Sequence, residues 1–246
     1  MTDPTHALSF GAAAAAYDRF RPRYPQDALR WALDGLAAPA RVVDLGAGTG
    51  ILTRGVLALG YQVVPVEPDP GMRAQLALAT PGTTALAGSA EAVPLSDGSA
   101  DAVLVGQAYH WFDREPAHAE IARVLRAGSI FAPIWNFRDE RVDWVAKLSR
   151  IADLRDNAGN VIEKHGDFGP AFEPVDVGEF AHSATLTPDE VIDMLHTRSY
   201  WLTASPEERD RVDRGLRELF ATHPDLKGRE TVELPYQTLV LRSRRR

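Results

Sequence analysis

A parallel α/β sheet wound on both faces is the fold this sequence predicts, and three observations predict it. Short apolar runs rich in valine or alanine, near residues 41–45, 61–66, 83–87, 101–106 and 129–135, are separated by helical patterns near 49–59, 70–79 and 115–127. Strands that alternate with helices pair in parallel across the helical crossovers. The runs are apolar nearly throughout, as strands covered on both faces are. The first of them, Arg41-Val-Val-Asp-Leu45, leads straight into Gly46-Ala-Gly-Thr-Gly50, a strand-to-helix turn at the edge where such sheets bind ligands.

Taken in order, the elements begin with Pro25 to Leu36, where Leu29, Leu33 and Leu36 fall at helical spacing behind a first-turn proline. This helix should cover the first strand. The second strand, Val63-Val-Pro-Val66, ends at Glu67, and Asp69 is placed to cap a helix starting near Pro70. Past the fifth strand, Thr187-Pro-Asp-Glu190 and Ser205-Pro-Glu-Glu208 each offer a hydroxyl cap, a first-turn proline and a glutamate three residues on, so each opens a helix. Glu179 to Leu186 and Thr231 to Leu241 read as strand-like runs beside them. Gly159 to Gly178 reads as a surface loop pinned by Phe168 and Phe172.

With 246 residues and 45% hydrophobic content the chain can close one large core, so a single elaborated domain over 1–246 is expected. Within it, 1–25 is a lead segment, 26–135 the ligand-binding core, 136–230 a helical, strand-bearing cap and 231–246 the last strand and tail. Cysteine is absent, which removes disulfides, thiolate metal sites and a cysteine nucleophile. Asp3 comes early, there is no basic leader, and Ala12 to Ala16 is too short and weakly apolar for a signal or spanning segment. A soluble, cytoplasmic protein with no membrane partner is expected. The net charge of -7 gives no general attraction for phosphate backbones, so nucleic acid is disfavoured as a partner. The basic tail Arg242-Ser-Arg-Arg-Arg246 is expected to be a frayed, solvated terminus.

The glycine spacing bears on the ligand. Glycines in such a turn let a ligand come against main-chain N–H groups. A dinucleotide fingerprint places its third glycine three positions after the second, where this chain has Ile51. Asp44 stands beside the loop, and its charge would repel phosphate and attract a cation. Glu67, about 20 residues past the glycines, is where an acceptor for two ribose hydroxyls belongs. Both acids could instead be strand-end caps or solvated residues.

Val43-Asp-Leu-Gly-Ala-Gly-Thr-Gly50 resembles the first motif of class I S-adenosylmethionine-dependent methyltransferases of the type 11 group, whose cofactor carries an α-ammonium and a sulfonium. Gly88-Ser-Ala-Glu-Ala-Val-Pro-Leu95 and Ala100 to Phe112 resemble, in the same order, that family's adenine-bordering segment and its fourth strand with the loop flooring the active site. The resemblance implies a Rossmann-like, seven-stranded, mostly parallel sheet with one antiparallel strand, helices on both faces and a helical cap. It implies S-adenosyl-L-methionine as cofactor, no metal, and a small-molecule methyl acceptor. Asp44, Gly46, Ala47, Gly48, Thr49, Gly50, Glu67 and Pro68 would surround the cofactor. Ala90 and Glu91 would lie by the adenine amino group, with Met72 either lining that pocket or packing in the core.

The lead segment Tyr17-Asp-Arg-Phe-Arg-Pro-Arg-Tyr-Pro25 is similar to that of a subgroup containing trans-aconitate methyltransferase. In that resemblance Tyr17, Arg21 and Tyr24 close over the cofactor's methionine end, the arginine matching its carboxylate. Gln107, Ala108, Tyr109, His110, Trp111 and Phe112 follow the fourth strand and should project over the transferring methyl. Gln107 and Ala108 would touch the cofactor, and Trp111 either stacks on it or packs in the core. His110 is the candidate catalytic residue, as general base or as donor to an acceptor carboxylate, with a structural histidine as the alternative. Arg138 and Arg198 could pair with acceptor carboxylates or form surface ion pairs. The implied reaction is O-methylation of a carboxylate or hydroxyl by in-line displacement. Two alternatives stay open: an NAD(P)-dependent oxidoreductase, which shares the sheet, and a non-catalytic S-adenosylmethionine-binding protein.

Overall fold

The computed structural model describes residues 14–152, 158–197, 201 and 204–246. Its helices are α1 (Ala14–Phe20), α2 (Gln26–Ala32), α3 (Ile51–Leu57), α4 (Pro70–Ala79), α5 (Arg114–Val124), α6 (Asp143–Ile151), α7 (Ala158–His165), α8 (Pro188–His196) and α9 (Pro206–Thr222). The strands are β1 (Arg41–Leu45), β2 (Gln62–Val66), β3 (Ala100–Gly106), β4 (Leu125–Arg138), β5 (Asp176–Leu186) and β6 (Val232–Arg244). The sheet runs β2-β1-β3-β4-β6-β5, parallel except for β6, which is antiparallel to both neighbours. Strand order reverses between β1 and β3, and the glycine loop leaves the carboxyl end of β1 at that switch point, where α/β sheets hold ligands.

One apolar layer, with Val43, Val103, Phe131 and Leu239, packs against α5 on one face of the sheet. Another, with Val42, Leu104, Ile134 and Val240, packs against α2 and α3 on the opposite face. This double covering is why the strand runs are apolar at consecutive positions. A third core joins α6, α8 and α9 to the start of β6 through Trp144, Leu195, Leu216 and Leu234. It builds the cap. Both capping boxes form: Thr187 Oγ1 accepts from Glu190 N at 3.2 Å and Ser205 Oγ from Glu208 N at 3.3 Å, with each glutamate carboxylate returning to its cap N–H.

The structure departs from the sequence expectation in several places. The described sheet has six strands, and the run at 83–87 is reduced to one parallel bridge, Val66 to Leu86. Pro65 explains it: its carbonyl accepts from Leu86 N at 2.9 Å and Glu67 N donates to Leu86 O at 3.0 Å. The next bond outward would need an N–H on Pro65, which proline lacks. The helix expected over 115–127 stops at Val124, because β4 begins at Leu125 and runs for 14 residues. The stretch 159–178 is not all loop: α7 fills its first part, while Phe168 and Phe172 are buried against Phe131, with ring centroids 4.6 and 5.5 Å away.

The tail is not frayed. β6 continues through Arg244, and the arginines donate to backbone carbonyls: Arg242 Nη1 to Trp31 O at 2.7 Å, Arg244 Nη1 to Gly128 O at 3.0 Å and Arg246 N to Ala171 O at 2.9 Å. The Arg242 guanidinium also lies 4.1 Å from the Trp31 ring centroid. Guanidinium donors that satisfy the carbonyls of Trp31 and Gly128 pin the end of β6, so composition alone misreads this run as a solvated terminus. No helix among the described residues is long and apolar enough to cross a membrane.

Candidate cofactor site

The glycine loop uses its three glycines differently. A Cβ on Gly46 would stand 2.7 Å from Ala108 Cβ, and one on Gly50 would stand 2.9 Å from Leu76 Cγ, so these two are small because the loop packs closely on its neighbours. A Cβ on Gly48 would meet nothing within 4 Å. Gly48 has φ +55° and faces open space, the arrangement expected where a ligand comes against the backbone.

The main-chain N–H groups of the loop are mostly engaged within the protein. Gly46 N and Ala47 N donate to Val66 O at 2.9 and 3.1 Å, Gly48 N to Glu67 Oε2 at 2.9 Å and Gly50 N to Ala47 O at 2.9 Å. The expectation of a ligand held by these N–H groups is therefore corrected. They knit the loop to β2, and a diphosphate would find few donors here.

Carboxylates dominate instead. Asp44 is 1% exposed, and its Oδ2 accepts from Thr53 Oγ1 at 2.5 Å while its Oδ1 is buried with no hydrogen-bond partner. Burial pushes the carboxyl up to about 7, with hydrogen bonds from the Thr53 side chain and backbone opposing. Glu67 is also buried; its Oε2 accepts from Gly48 N and its Oε1 from Asp69 N, both at 2.9 Å. Burial raises its pKa as well. Asp69 caps α4 as its position predicts, Oδ1 accepting from Met72 N at 2.8 Å. Met72 is buried on α4, and Pro68 is exposed, its carbonyl accepting from Arg73 Nη1 at 2.7 Å.

The lead segment lies over this loop. Residues 14–20 form α1, which the sequence reading did not foresee, and the Arg21 guanidinium sits 4.5 Å from the Tyr17 ring centroid. Arg21 Nε is buried with no hydrogen-bond partner. Tyr24 reaches the end of β3, its hydroxyl oxygen 2.6 Å from where a Cβ on Gly106 would stand. Burial holds its phenol pKa well above 10, and the nearby acids Tyr17 and Asp44 push it the same way. Tyr17, Arg21, Tyr24 and Asp44 thus converge. Asn136 on β4 secures the segment from below, Nδ2 donating to Arg23 O at 3.2 Å.

Gln107 and Ala108 border the loop from β3. Gln107 has φ +58°, a conformation that side chains other than glycine seldom adopt, and its Nε2 donates to Asn136 O at 2.9 Å. Ala90 is buried, and Glu91 accepts from Asp113 N at 3.0 Å, tying the 88–95 segment to the loop after β3. In the turn Tyr109–Trp111, Tyr109 points into the core, His110 is exposed and Trp111 is half-buried, the last two rings 4.9 Å apart. The expectation that the whole loop projects over the site is corrected for Tyr109, whose hydroxyl pairs with His118 Nε2 at 2.5 Å, and for Phe112, which packs against the same core with its ring centroid 5.8 Å from that of Tyr109. Arg138 Nε donates to Ser149 Oγ at 3.3 Å, and Arg198 lies outside the described residues.

Asp18, Arg54 and Asn136 were missed by sequence reasoning. Asp18 carries the only available signal, since it stands inside the Tyr17–Pro25 pattern; its partners Thr49 and Arg54 are 31 and 36 residues away.

Comparison with known proteins identifies the family. The model of the methyltransferase domain family matches residues 43–132, the span from β1 into β4. An uncharacterized methyltransferase of Mycobacterium bovis is 44% identical over 237 residues, covering 96% of each chain. The chain belongs to the class I S-adenosylmethionine-dependent methyltransferases. An uncharacterized methyltransferase-like protein of Schizosaccharomyces pombe is 31% identical over 250 residues, 99% of this chain and 98% of that one. Among solved structures, one described as a type II methyltransferase from Anaeromyxobacter dehalogenans is similar with a TM-score of 0.65 and 24% identity over 92% of this chain and 98% of its own, a likeness of fold.

The residues of this methyltransferase fit S-adenosylmethionine. Its zwitterionic end needs an acceptor for an ammonium and a donor for a carboxylate, and the site offers a buried carboxylate oxygen and a buried guanidinium nitrogen, both unpartnered. The membership also removes the dehydrogenase alternative.

Proposed function

We propose that this methyltransferase transfers the methyl group to an oxygen of a small molecule, a carboxylate or a hydroxyl, as in the trans-aconitate methyltransferase subgroup that its lead segment resembles. The observation that carries the small-molecule reading is enclosure. Asp44 is 1% exposed beneath a segment whose Tyr24 reaches the end of β3, and this covering by the chain itself supports a small acceptor over a macromolecular one. The net charge of -7 further disfavours a polyanionic acceptor.

S-adenosylmethionine supplies a methyl group on a sulfonium, which is itself a good leaving group. Asp44 Oδ1 accepts from the cofactor ammonium and Arg21 meets its carboxylate, with Tyr17 and Tyr24 closing that end. Glu67 accepts from the ribose hydroxyls; each of its oxygens holds one N–H and retains acceptor capacity. Pro68, Met72, Ala90 and Glu91 border the adenine, and Gly46 to Gly50, Gln107, Ala108 and Trp111 complete the contact surface. The main task left to the protein is to align donor and acceptor, an effect worth about 7 to 11 kcal/mol when fully used. A carboxylate acceptor is ionised at neutral pH and needs no base, whereas a hydroxyl calls for one, and His110 is the residue proposed.

Turnover of methyl-labelled S-adenosylmethionine against a panel of small carboxylates, phenols, alcohols and amines tests this reading. Label is expected in an ester or ether product. Label confined to amines would refute the oxygen assignment, and label carried only by protein or nucleic acid would refute the small-molecule one.

A further inference from the structure

Asp18 is the residue of α1 that grips the glycine loop. Its side chain is 14% exposed, and its Oδ1 accepts from Thr49 Oγ1 at 2.8 Å and from Arg54 Nη2 at 2.5 Å. Arg54 approaches from α3 and closes the ring, its Nη1 donating to Thr49 O at 2.8 Å. Three segments of the chain therefore meet at one carboxylate. Thr49 is 1% exposed, so its hydroxyl is committed to an interior partner rather than to water.

The grip has consequences one turn along α1. Asp18 follows Tyr17 directly on α1, and Arg21 comes three residues later, just past the helix end, its N–H still bonded to Tyr17 O at 3.1 Å, so fixing the Asp18 carboxylate on the loop fixes where the Tyr17 ring and the Arg21 guanidinium fall. Arg21 cannot hold that place by its own Nε, which has no protein partner. The far side of α1 rests on the cap: Phe20 packs against the α6–α8–α9 core, and Arg19 Nη2 stands 3.5 Å from Glu190. That ion pair is partly exposed, contributes little and ties α1 to α8 rather than to the loop, whereas Asp18 bonds the loop itself through Thr49.

We propose that Asp18 is a positioning residue for the cofactor: through Thr49 and Arg54 it holds α1 where Arg21 and Tyr17 meet the amino-acid end of S-adenosylmethionine. The proposal rests on the assignment of Arg21 to that end. A purely structural Asp18 would affect every ligand of the site alike. A positioning Asp18 discriminates, because a ligand without the amino-acid end does not use Arg21.

Calorimetry of the full chain with S-adenosylhomocysteine and with 5′-methylthioadenosine, which lacks the amino-acid end, separates the two. Asp18→Ala is expected to weaken S-adenosylhomocysteine about tenfold or more and 5′-methylthioadenosine by less than about threefold, the scale of losing hydrogen bonds to a charged group at one end only. Asp18→Asn, which keeps the volume and an acceptor for Thr49, should fall between parent and Asp18→Ala, and it carries the test if Asp18→Ala does not fold. Combining Asp18→Ala with Arg21→Ala should cost little more than Arg21→Ala alone, because the two act through one contact. Equal weakening of both ligands, or additive effects in the double variant, would overturn the proposal while leaving the cofactor site intact. A parent chain that does not bind S-adenosylhomocysteine, or an Arg21→Ala variant that binds it as the parent does, would instead defeat the underlying assignment and the proposal with it.

Discussion

Asp44→Asn should remove both a stability cost and a proton that accompany this site. The Asp44 carboxyl is pushed from 3.8 up to about 7 by burial, and one of its oxygens has no partner. A carboxyl whose folded pKa exceeds its unfolded value keeps its proton longer in the folded state. Between the two values the folded protein binds more protons, so stability is highest at low pH and is lost as pH rises toward the folded pKa. Each pH unit in that window corresponds to about 1.4 kcal/mol, so from pH 5 to pH 7 the cofactor-free protein loses about 2 to 3 kcal/mol through this group. For a chain of this size that is a fall of roughly 5 to 10 °C in Tm, and Asp44→Asn should flatten it. The cofactor reverses the preference, because an ammonium beside Oδ1 favours the ionised form. Binding of S-adenosylhomocysteine at pH 6 should therefore release close to one proton, measurable by calorimetry in buffers of different ionisation enthalpy, and affinity should rise from pH 5.5 to 7.5. Asp44→Asn should release none and bind more weakly at pH 7.5. A parent protein whose binding releases no proton at pH 6, or an Asp44→Asn variant with the parent's pH slope in Tm, would refute the reasoning.

Three further outcomes are expected. Gly48→Val should abolish cofactor binding, since its side chain enters the space left open above the loop and a β-branched residue strains the backbone at φ +55°; calorimetry with S-adenosylhomocysteine checks it, and parental affinity would misplace the site. Glu67→Ala should weaken S-adenosylmethionine and 5′-methylthioadenosine equally, by about 1.5 to 3 kcal/mol, because both keep the ribose. A loss confined to one ligand would contradict the ribose role. S-adenosylhomocysteine should protect residues Tyr17 to Pro25 from hydrogen exchange, whereas adenosine should do so poorly and Arg21→Ala should lose most of the protection; equal protection by adenosine would make the segment a fixed arm.

The cofactor half was legible because its signals are local. β1 and α4 begin and end where the apolar runs and caps place them, and Asp69 caps α4 three residues before Met72 through a bond that sequence spacing alone specifies. The two capping boxes of α8 and α9 were readable for the same reason. What was hidden depends on partners far apart in sequence. The six-strand count follows from a missing N–H on Pro65, visible only once Leu86 is seen to need it. The basic tail reads as solvated until its arginines are found on the carbonyls of Trp31 and Gly128.

The division between legible and hidden has a physical origin in how the site is assembled. A turn that must present a carboxylate and make room for a ligand is encoded within about ten residues, because strand, glycines and helix start are consecutive, and so Asp44 and Glu67 could be singled out at once. Closing that turn requires a second segment, and the contact is made by Asp18 across 31 residues to Thr49 and by Asn136 across 113 to Arg23. Neither partner belongs to a periodic pattern, and each is a polar side chain of ordinary composition. Beneath and within the segment so held, two buried atoms stay unpartnered, Asp44 Oδ1 and Arg21 Nε. A folded chain keeps such atoms only at a cost, since an unmet buried polar group disfavours the state that contains it. A ligand that supplies both an ammonium and a carboxylate removes that cost at both ends, and S-adenosylmethionine carries the two on one carbon.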